Sequence, residues 1–337
     1  MESSRARRGR RAHPSRRRPL LCTALATVAV LGATAGGTVY VKAQAHSGTG
    51  AVSSSSATPS ASGSGSGSGS GKVSVETVAA PEIDYDALLA SAMKSVTVPG
   101  DAAVSVAVLD LDSGDDATYG ESAFDTASIV KVDILATLLL QAQDADRHLT
   151  AAEKTYATAM IENSDNDSAS ALWRIIGKAE GLDAANERFG LTDTAGGDDM
   201  LWGLTQTTAA DQLILLRQVF GDDSELSEAS RTYLQGLMGQ IAVDQRWGVS
   251  AAADGSSWAL KNGWLARSTT GLWDINSIGR VTVDGHDCLV AVLSNGNATQ
   301  TAGISLVEQV ARAAVSALRD GGASASASAS ASPSTAD

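Results

Sequence analysis

The feature that most constrains the fold is the order in which the hydrophobic period changes along the chain. A helical stretch, "PEIDYDALLASAMKSV" (Pro81–Val96), has proline near its start and is amphipathic. It leads into "AAVSVAVLDLDSG" (Ala102–Gly114), whose alternation reads as a strand and turn. From Ser128 to about Gly239 helical patterns dominate. Three strand-like runs follow, "SWALKNGW", "TGLWDINSIGRVTV" and "HDCLVAVLSN", and a last helix is expected over Ala302–Leu318. Strands at both ends of a helical middle predict an α/β fold. Its antiparallel sheet is built from N- and C-terminal strands and flanked by helices, with an all-helical lobe inserted between them.

Low-complexity segments mark where that fold ends. Residues 43–77 are mostly Ser, Gly, Ala and Thr and include "SGSGSGSGSG", which cannot bury enough apolar surface to fold and reads as a disordered tether. The Ala/Ser tail, 321–337, is of the same kind, so one folded domain is expected over 78–320. Ahead of the tether, residues 1–18 form a basic flank of eight arginines and one glutamate, and residues 19–42 are an apolar run long enough to span a bilayer. A positive flank stays cytoplasmic, so the domain is expected outside the cell membrane. Either residues 20–41 anchor it, or it is secreted after cleavage near Ala45. "SRRRPLL" resembles a twin-arginine export signal, but the length of the run and the tether behind it favour the anchor.

The formal net charge is −13, and removing the +7 of the basic flank leaves −20 on the remainder. So acidic a body excludes nucleic acid as a partner, because phosphate binding needs clustered Lys and Arg. The cysteines, Cys22 and Cys288, fall in the apolar run and in a strand, so no disulfide is expected. The four histidines are scattered and no glycine-rich phosphate loop is present, so neither a metal nor a cofactor is expected. Of the six tryptophans, most are expected in core or junction packing.

The chemistry-bearing residues stand out against this frame. "FDTASIVKVDILATLLLQ" (Phe124–Gln141) places Ser128 and Lys131 at the start of a strongly apolar helix, and residues three apart share a helix face. A serine hydroxyl is a poor nucleophile by itself, whereas a lysine desolvated in an apolar setting has a lowered pKa and can act as its base. The helix N-terminus adds backbone N–H groups where negative charge develops. Ser-x-x-Lys alone is weak, since "SAMK" (Ser91–Lys94) also matches it. Two further signals follow in order: Ser164-Asp165-Asn166 at the junction of two helices, where short polar residues also serve as caps, and Lys261-Asn262-Gly263 in a strand.

This set resembles the Ser-x-x-Lys, Ser-Asp-Asn and Lys-Thr-Gly motifs of class A serine β-lactamases and penicillin-binding proteins. The resemblance implies the β-lactamase/transpeptidase-like fold over nearly the whole folded unit. It makes Ser128 the acylated nucleophile, Lys131 the group that helps remove its proton, and Ser164 a proton relay to the leaving nitrogen. Lys261 supplies positive charge, Asn166 holds the substrate's side-chain amide, and Asn262 and Gly263 line the substrate's path. The backbone N–H groups of Ser128 and Trp264 form the oxyanion hole. Arg246 is expected to assist carboxylate recognition. The activity implied first is that of an exported serine acyl-hydrolase that hydrolyses a small-molecule β-lactam amide; the alternative is a penicillin-binding peptidase or esterase on cell-wall peptides with slow deacylation. A non-catalytic binding module is the third reading, and a monomer is expected.

One departure bears on turnover. Class A enzymes release the acyl group with a water held by a glutamate on a loop. The matching stretch here, residues 190–212, has no glutamate, only Asp193, Asp198, Asp199 and Asp211. Deacylation is therefore expected either to be slow or to use another route, because losing well-placed base catalysis costs ~10²–10⁴ in rate.

Overall fold

The computed structural model describes residues 83–255 and 257–330. The basic flank, the apolar run, the tether and the last residues of the tail lie outside these. Among the described residues no helix is long and apolar enough to cross a membrane.

Helix α1 (Tyr85–Met93) starts four residues after Pro81 rather than at it, because Asp84 caps it: the Asp84 side chain accepts from Ala87 N at 2.9 Å. Strands β1 (Ala103–Asp110) and β2 (Asp116–Tyr119) follow, then the short β3 (Phe124–Asp125). The helical lobe comprises α2 (Val130–Asp144), α3 (Ala151–Glu162), α4 (Asn166–Ile176), α5 (Lys178–Phe189), α6 (Ala209–Phe220) and α7 (Glu228–Met238), with the two-residue β4 (Gln206–Thr207) pairing β3. The chain then returns through β5 (Trp258–Ala266), β6 (Trp273–Val283) and β7 (His286–Asn297) and closes with α8 (Gln300–Ser330). The main sheet has the order β2-β1-β7-β6-β5, antiparallel throughout, so the first strands join the last three as the sequence pattern predicts. Helix α8 continues past Leu318 into the Ala/Ser repeat, where disordered chain is expected from the composition. Alanine has the highest helix propensity, and a helix already nucleated extends at little further cost.

Both faces of the sheet are covered, which explains why β7 reads as an unbroken apolar run. Leu289, Ala291 and Leu293 point into the helical lobe, while Cys288, Val290 and Val292 point toward α1 and α8. Cys288 is a free, buried thiol. In the lobe, α2 is apolar on nearly every side because α3, α4, α5 and α7 surround it. A helix held this way is a rigid post for the residues at its N-terminus. The other fixed element is β5, which lies at the edge of the sheet.

Candidate active site

Ser128 lies in a single 3₁₀ turn, Ala127–Ile129, that runs directly into α2. Ala127 is in the left-handed region at φ 48°, strained for a residue with a Cβ, and no side chain caps the turn. Lys131 follows one turn later and is fully buried. Its Nζ lies 3.0 Å from Ser128 Oγ, 2.7 Å from the Ser164 carbonyl, 3.1 Å from Ser164 Oγ and 2.8 Å from Asn166 Oδ1. Burial pulls its pKa down from 10.5 to about 7, with Asp165 pushing weakly the other way.

The second motif is brought to Lys131 by a helix cap. Asp165 is the N-cap of α4, its side chain accepting from Ser168 N at 2.7 Å, and these bonds hold its carboxyl below the usual range. With that corner fixed and Ser164 at φ 55°, the Ser164 carbonyl and hydroxyl and the Asn166 amide oxygen all converge on one amine. The capping role and the site role are thus one structure.

The third motif comes from β5. Lys261 is fully buried, and its Nζ donates to Ser164 Oγ at 3.0 Å and to the Asn262 carbonyl at 2.9 Å. Burial lowers its pKa well below the ordinary value, and the neighbouring Lys131 lowers it further. Ser164 Oγ therefore sits between two amines. Gly263 lets the strand come this close: a Cβ there would lie 2.7 Å from Thr126 O and 2.9 Å from Ser128 N. Asn276 on β6, paired with Gly263, donates to the carbonyls of Asp125 and Thr126 at 2.9 and 3.0 Å and ties the segment before Ser128 to the sheet. Ser128, Asn166 and Trp264 all line one hollow of about 450 Å³.

Two expected substrate contacts are not brought to this hollow. The Asn262 side chain is buried on the other face of β5, its Nδ2 donating to the carbonyls of Gln245 (2.7 Å) and Trp247 (3.0 Å). Strand alternation requires this once Lys261 and Gly263 face Ser128, and an amide occupied by two carbonyls has no hydrogen left for a substrate carboxylate. Arg246 is exposed, stacks over Trp258 at 5.6 Å and donates to the Ile241 carbonyl. It does not line the hollow. "SAMK" is only an exposed pair at the end of α1.

The sequence reading did not single out Trp202 from the other five tryptophans. In the loop before α6, a 3₁₀ turn (Trp202–Leu204) places the indole 4.9 Å from Lys131 Nζ, held by a 3.1 Å bond from its Nε1 to Ser170 Oγ on α4. Two aspartates of this loop are engaged elsewhere: Asp199 pairs with Lys178, and Asp211 accepts from Asp193 N and Thr194 Oγ1. No periodicity marks the tryptophan, because the loop is irregular.

Among the described residues, one acidic and histidine cluster exists away from this site: Asp110, Asp112 and His286. The Arg319 guanidinium, 3.1 Å from Asp110 Oδ2, already supplies its positive charge, so it reads as an ion-pair network.

Residues 153–318 match the model of the Beta-lactamase enzyme family, a span that takes in Ser164 and Lys261 and begins after Ser128 and Lys131. No curated protein matches the chain. Among solved structures, PBP-A superposes with a TM-score of 0.61 at 20% identity, over 72% of this chain and 99% of that one. The TLA-1 extended-spectrum β-lactamase gives 0.60 at 16% identity, over 69% and 98%. A β-lactamase from Xanthomonas campestris gives 0.54 at 20%, over 68% and 95%. A mutant of PBP-A is similar to the same degree (TM-score 0.60, 19% identity, 69% and 97% covered) and was captured as an acyl-enzyme complex with penicillin G. The fold is that of the class A β-lactamases and PBP-A.

Proposed function

We propose that this serine β-lactamase-like chain is an acyl-serine enzyme of the β-lactamase and penicillin-binding type that acylates on Ser128 and releases the acyl group slowly. The observation that carries the reading is the continuous hydrogen-bonded path Ser128 Oγ, Lys131 Nζ, Ser164 Oγ, Lys261 Nζ. With its pKa near 7, Lys131 is substantially neutral at physiological pH and can accept the Ser128 proton as Oγ attacks an amide carbonyl. The negative charge on the carbonyl oxygen falls to the backbone N–H groups of Ser128 and Trp264. As the carbon–nitrogen bond breaks, Ser164 gives its proton to the leaving nitrogen and regains one from Lys131. The Ser128 proton thus ends on the amine, and an ester remains on Oγ.

Release requires water to attack that ester while Lys131 takes the water's proton and returns it to Ser128 Oγ. No carboxylate of the 190–212 loop stands at Lys131 to help, and the Trp202 ring covers one side of the amine. This favours a stable adduct over rapid turnover; a β-lactam amide is the substrate class that the names of the fold's relatives suggest, and a cell-wall peptide is the alternative that the motif resemblance implies. Rapid β-lactam hydrolysis is the second reading, favoured by the availability of Lys131 for both half-reactions. The basic flank and apolar run of the sequence support a domain outside the cytoplasmic membrane, tethered by its N-terminal segment, and a monomer is part of the same proposal.

Intact-mass measurement after incubation with penicillin G tests this. A lasting adduct of one equivalent, lost in Ser128→Ala, is expected. An unmodified chain with intact substrate refutes the enzyme reading, and a transient adduct with many substrate equivalents consumed selects the hydrolase.

A further inference from the structure

The two N–H groups that would receive the oxyanion come from segments that meet only by contact. Ser128 N belongs to the turn after β3 and Trp264 N to β5, the edge strand of the sheet. Among the described residues no backbone hydrogen bond joins these two segments, so side chains set their separation. Asn276 is one tie, at the level of Gly263. Strand β5 runs on past it to Ala266, paired on one side only.

Arg267 supplies a second tie. It opens the β5–β6 turn, where its N–H donates to the Leu272 carbonyl and its carbonyl accepts from Gly271 N, both at 2.8 Å. Its guanidinium reaches across 142 positions of sequence to pair with the Asp125 carboxylate on β3. Asp274 Oδ2 on β6, 3.5 Å from the same nitrogen, holds the guanidinium from the hairpin side. Both carboxylates are largely withdrawn from water, their side chains 11% and 8% exposed, which shields the contact from salt. Asp125 is itself a node. Its other carboxylate oxygen accepts from Gln206 Nε2 on β4, its carbonyl accepts from Asn276 Nδ2, and the next residue, Thr126, donates its N–H to the Thr205 carbonyl at 2.9 Å. Asp125 stands three residues before Ser128 and Arg267 three residues after Trp264, so the ion pair closes a frame around the two N–H groups.

Resting on the acyl-serine reading, we propose that Arg267 is a positioning residue for acylation: its ion pair with Asp125 sets the distance between the backbone N–H groups of Ser128 and Trp264. Arg267 does not line the hollow that holds Ser128, so it acts through the backbone. Negative charge appears on the carbonyl oxygen only as Oγ attacks. A hole held at the wrong width therefore binds the intact amide nearly as well and stabilises the transition state less, which puts the cost in the acylation step. The Arg267 side chain is 35% exposed, and an ion pair so placed adds little to stability. A loss of rate out of proportion to any loss of stability is thus the mark of positioning.

The test follows penicillin G adduct formation by rapid-quench intact mass over a range of penicillin concentrations, which separates the dissociation constant of the initial complex from the first-order acylation constant. Arg267→Ala is expected to lower the acylation constant roughly 10- to 100-fold, the cost of an ångström-scale misplacement, while the dissociation constant moves less than about threefold. Asp125→Asn keeps the shape and removes the charge, so its fall should match, and the double variant should fall no further than either single one because both break one tie. Arg280→Ala is the control: it breaks the Arg280–Asp287 pair, 3.1 Å long and similarly exposed, and should acylate at the wild-type rate. Acylation constants within about threefold of wild type in both single variants overturn the assignment and leave the acyl-serine reading intact. A double variant whose fall is the product of the two, a loss confined to the dissociation constant or the melting temperature, or an equal fall in Arg280→Ala does the same. If Arg267→Ala does not fold, Asp125→Asn decides by itself. No adduct with the wild type overturns both readings.

Discussion

Acylation should follow the titration of Lys131, and the geometry sets both the direction and the range. The amine is buried against Ser128 and Ser164, and its pKa falls from 10.5 to about 7. Only the neutral form can take the Ser128 proton, so the acylation rate constant should rise as pH increases. Between about pH 6 and pH 8 the neutral fraction climbs from ~10% to ~90%, close to tenfold in rate, and it levels off above that. An ordinary lysine would instead give a rate climbing tenfold per unit toward pH 10. Because Lys131 and Lys261 share Ser164 Oγ, the measured midpoint belongs to the pair. The same shift has a stability consequence of known sign. The folded pKa lies below the unfolded one, so between about pH 7 and pH 10.5 the unfolded chain binds more protons and stability rises with pH, by roughly 4–5 kcal/mol over the window. Below about pH 7 the full cost of the buried charge is present. The assay is penicillin G adduct formation from pH 5 to 10, alongside denaturant midpoints for wild type and Lys131→Met, whose profile should be flatter in that window. An acylation rate that is flat with pH, or still climbing tenfold per unit above pH 9, refutes the role given to Lys131.

Four other outcomes are expected. Lys131→Arg keeps the charge but cannot give up a proton near neutrality, so acylation should fall by ~10²–10⁴ at pH 8. Gly263→Ala would drive a Cβ into Thr126 O and Ser128 N; acylation should drop and stability fall by about 1–3 kcal/mol, read from penicillin labelling and thermal melts. Trp202→Ala uncovers Lys131 to water, and adduct lifetime, followed by mass after removing free penicillin, should shorten by about tenfold or more. Asp133, buried in α2 with Asn186 Nδ2 at 3.1 Å, has its carboxyl pushed up to about 7 by burial. Its folded pKa exceeds the unfolded one, so its stabilising contribution is whole below about pH 4 and is lost as pH rises through 7; Asp133→Asn should remove that decline in denaturant midpoints.

The architecture was legible because periodicity survives tertiary packing. Alternation in β1 and the apolar run of β7 gave the strand ends, and helical spacing from Ser128 onward gave the lobe. Helix ends were less legible, since caps decide them locally: Asp84 moves the start of α1 away from Pro81, and no residue of the Ala/Ser repeat stops α8 before Ser330. In the candidate site, type and spacing singled out residues that the fold brings together, and the roles given to them are part of the proposal. Ser128, Lys131, Ser164, Asn166 and Lys261 are the ones the fold gathers into a single hydrogen-bonded cluster. Asn262 and Arg246 went astray because facing direction and loop path are set by pairing partners far away in sequence, here Gln245 and Trp247 for the amide and Trp258 for the guanidinium.

Trp202 shows what a single chain conceals. A loop's chemistry can be read from the sequence only through what it contains, and residues 190–212 contain no glutamate, which pointed only to the deacylation step. The fold places an indole over the amine, and an indole and open space differ physically. Open space would admit water to Lys131, whereas the ring excludes it and offers a π-face to the protonated amine, which works against the proton loss that burial favours. The same ring is part of the apolar wall beside Ser128. The slow release proposed for the acyl group therefore rests on this ring, and variants at residue 202 should change it. A variant at residue 202 that opens Lys131 to water and leaves the adduct's lifetime unchanged refutes that assignment.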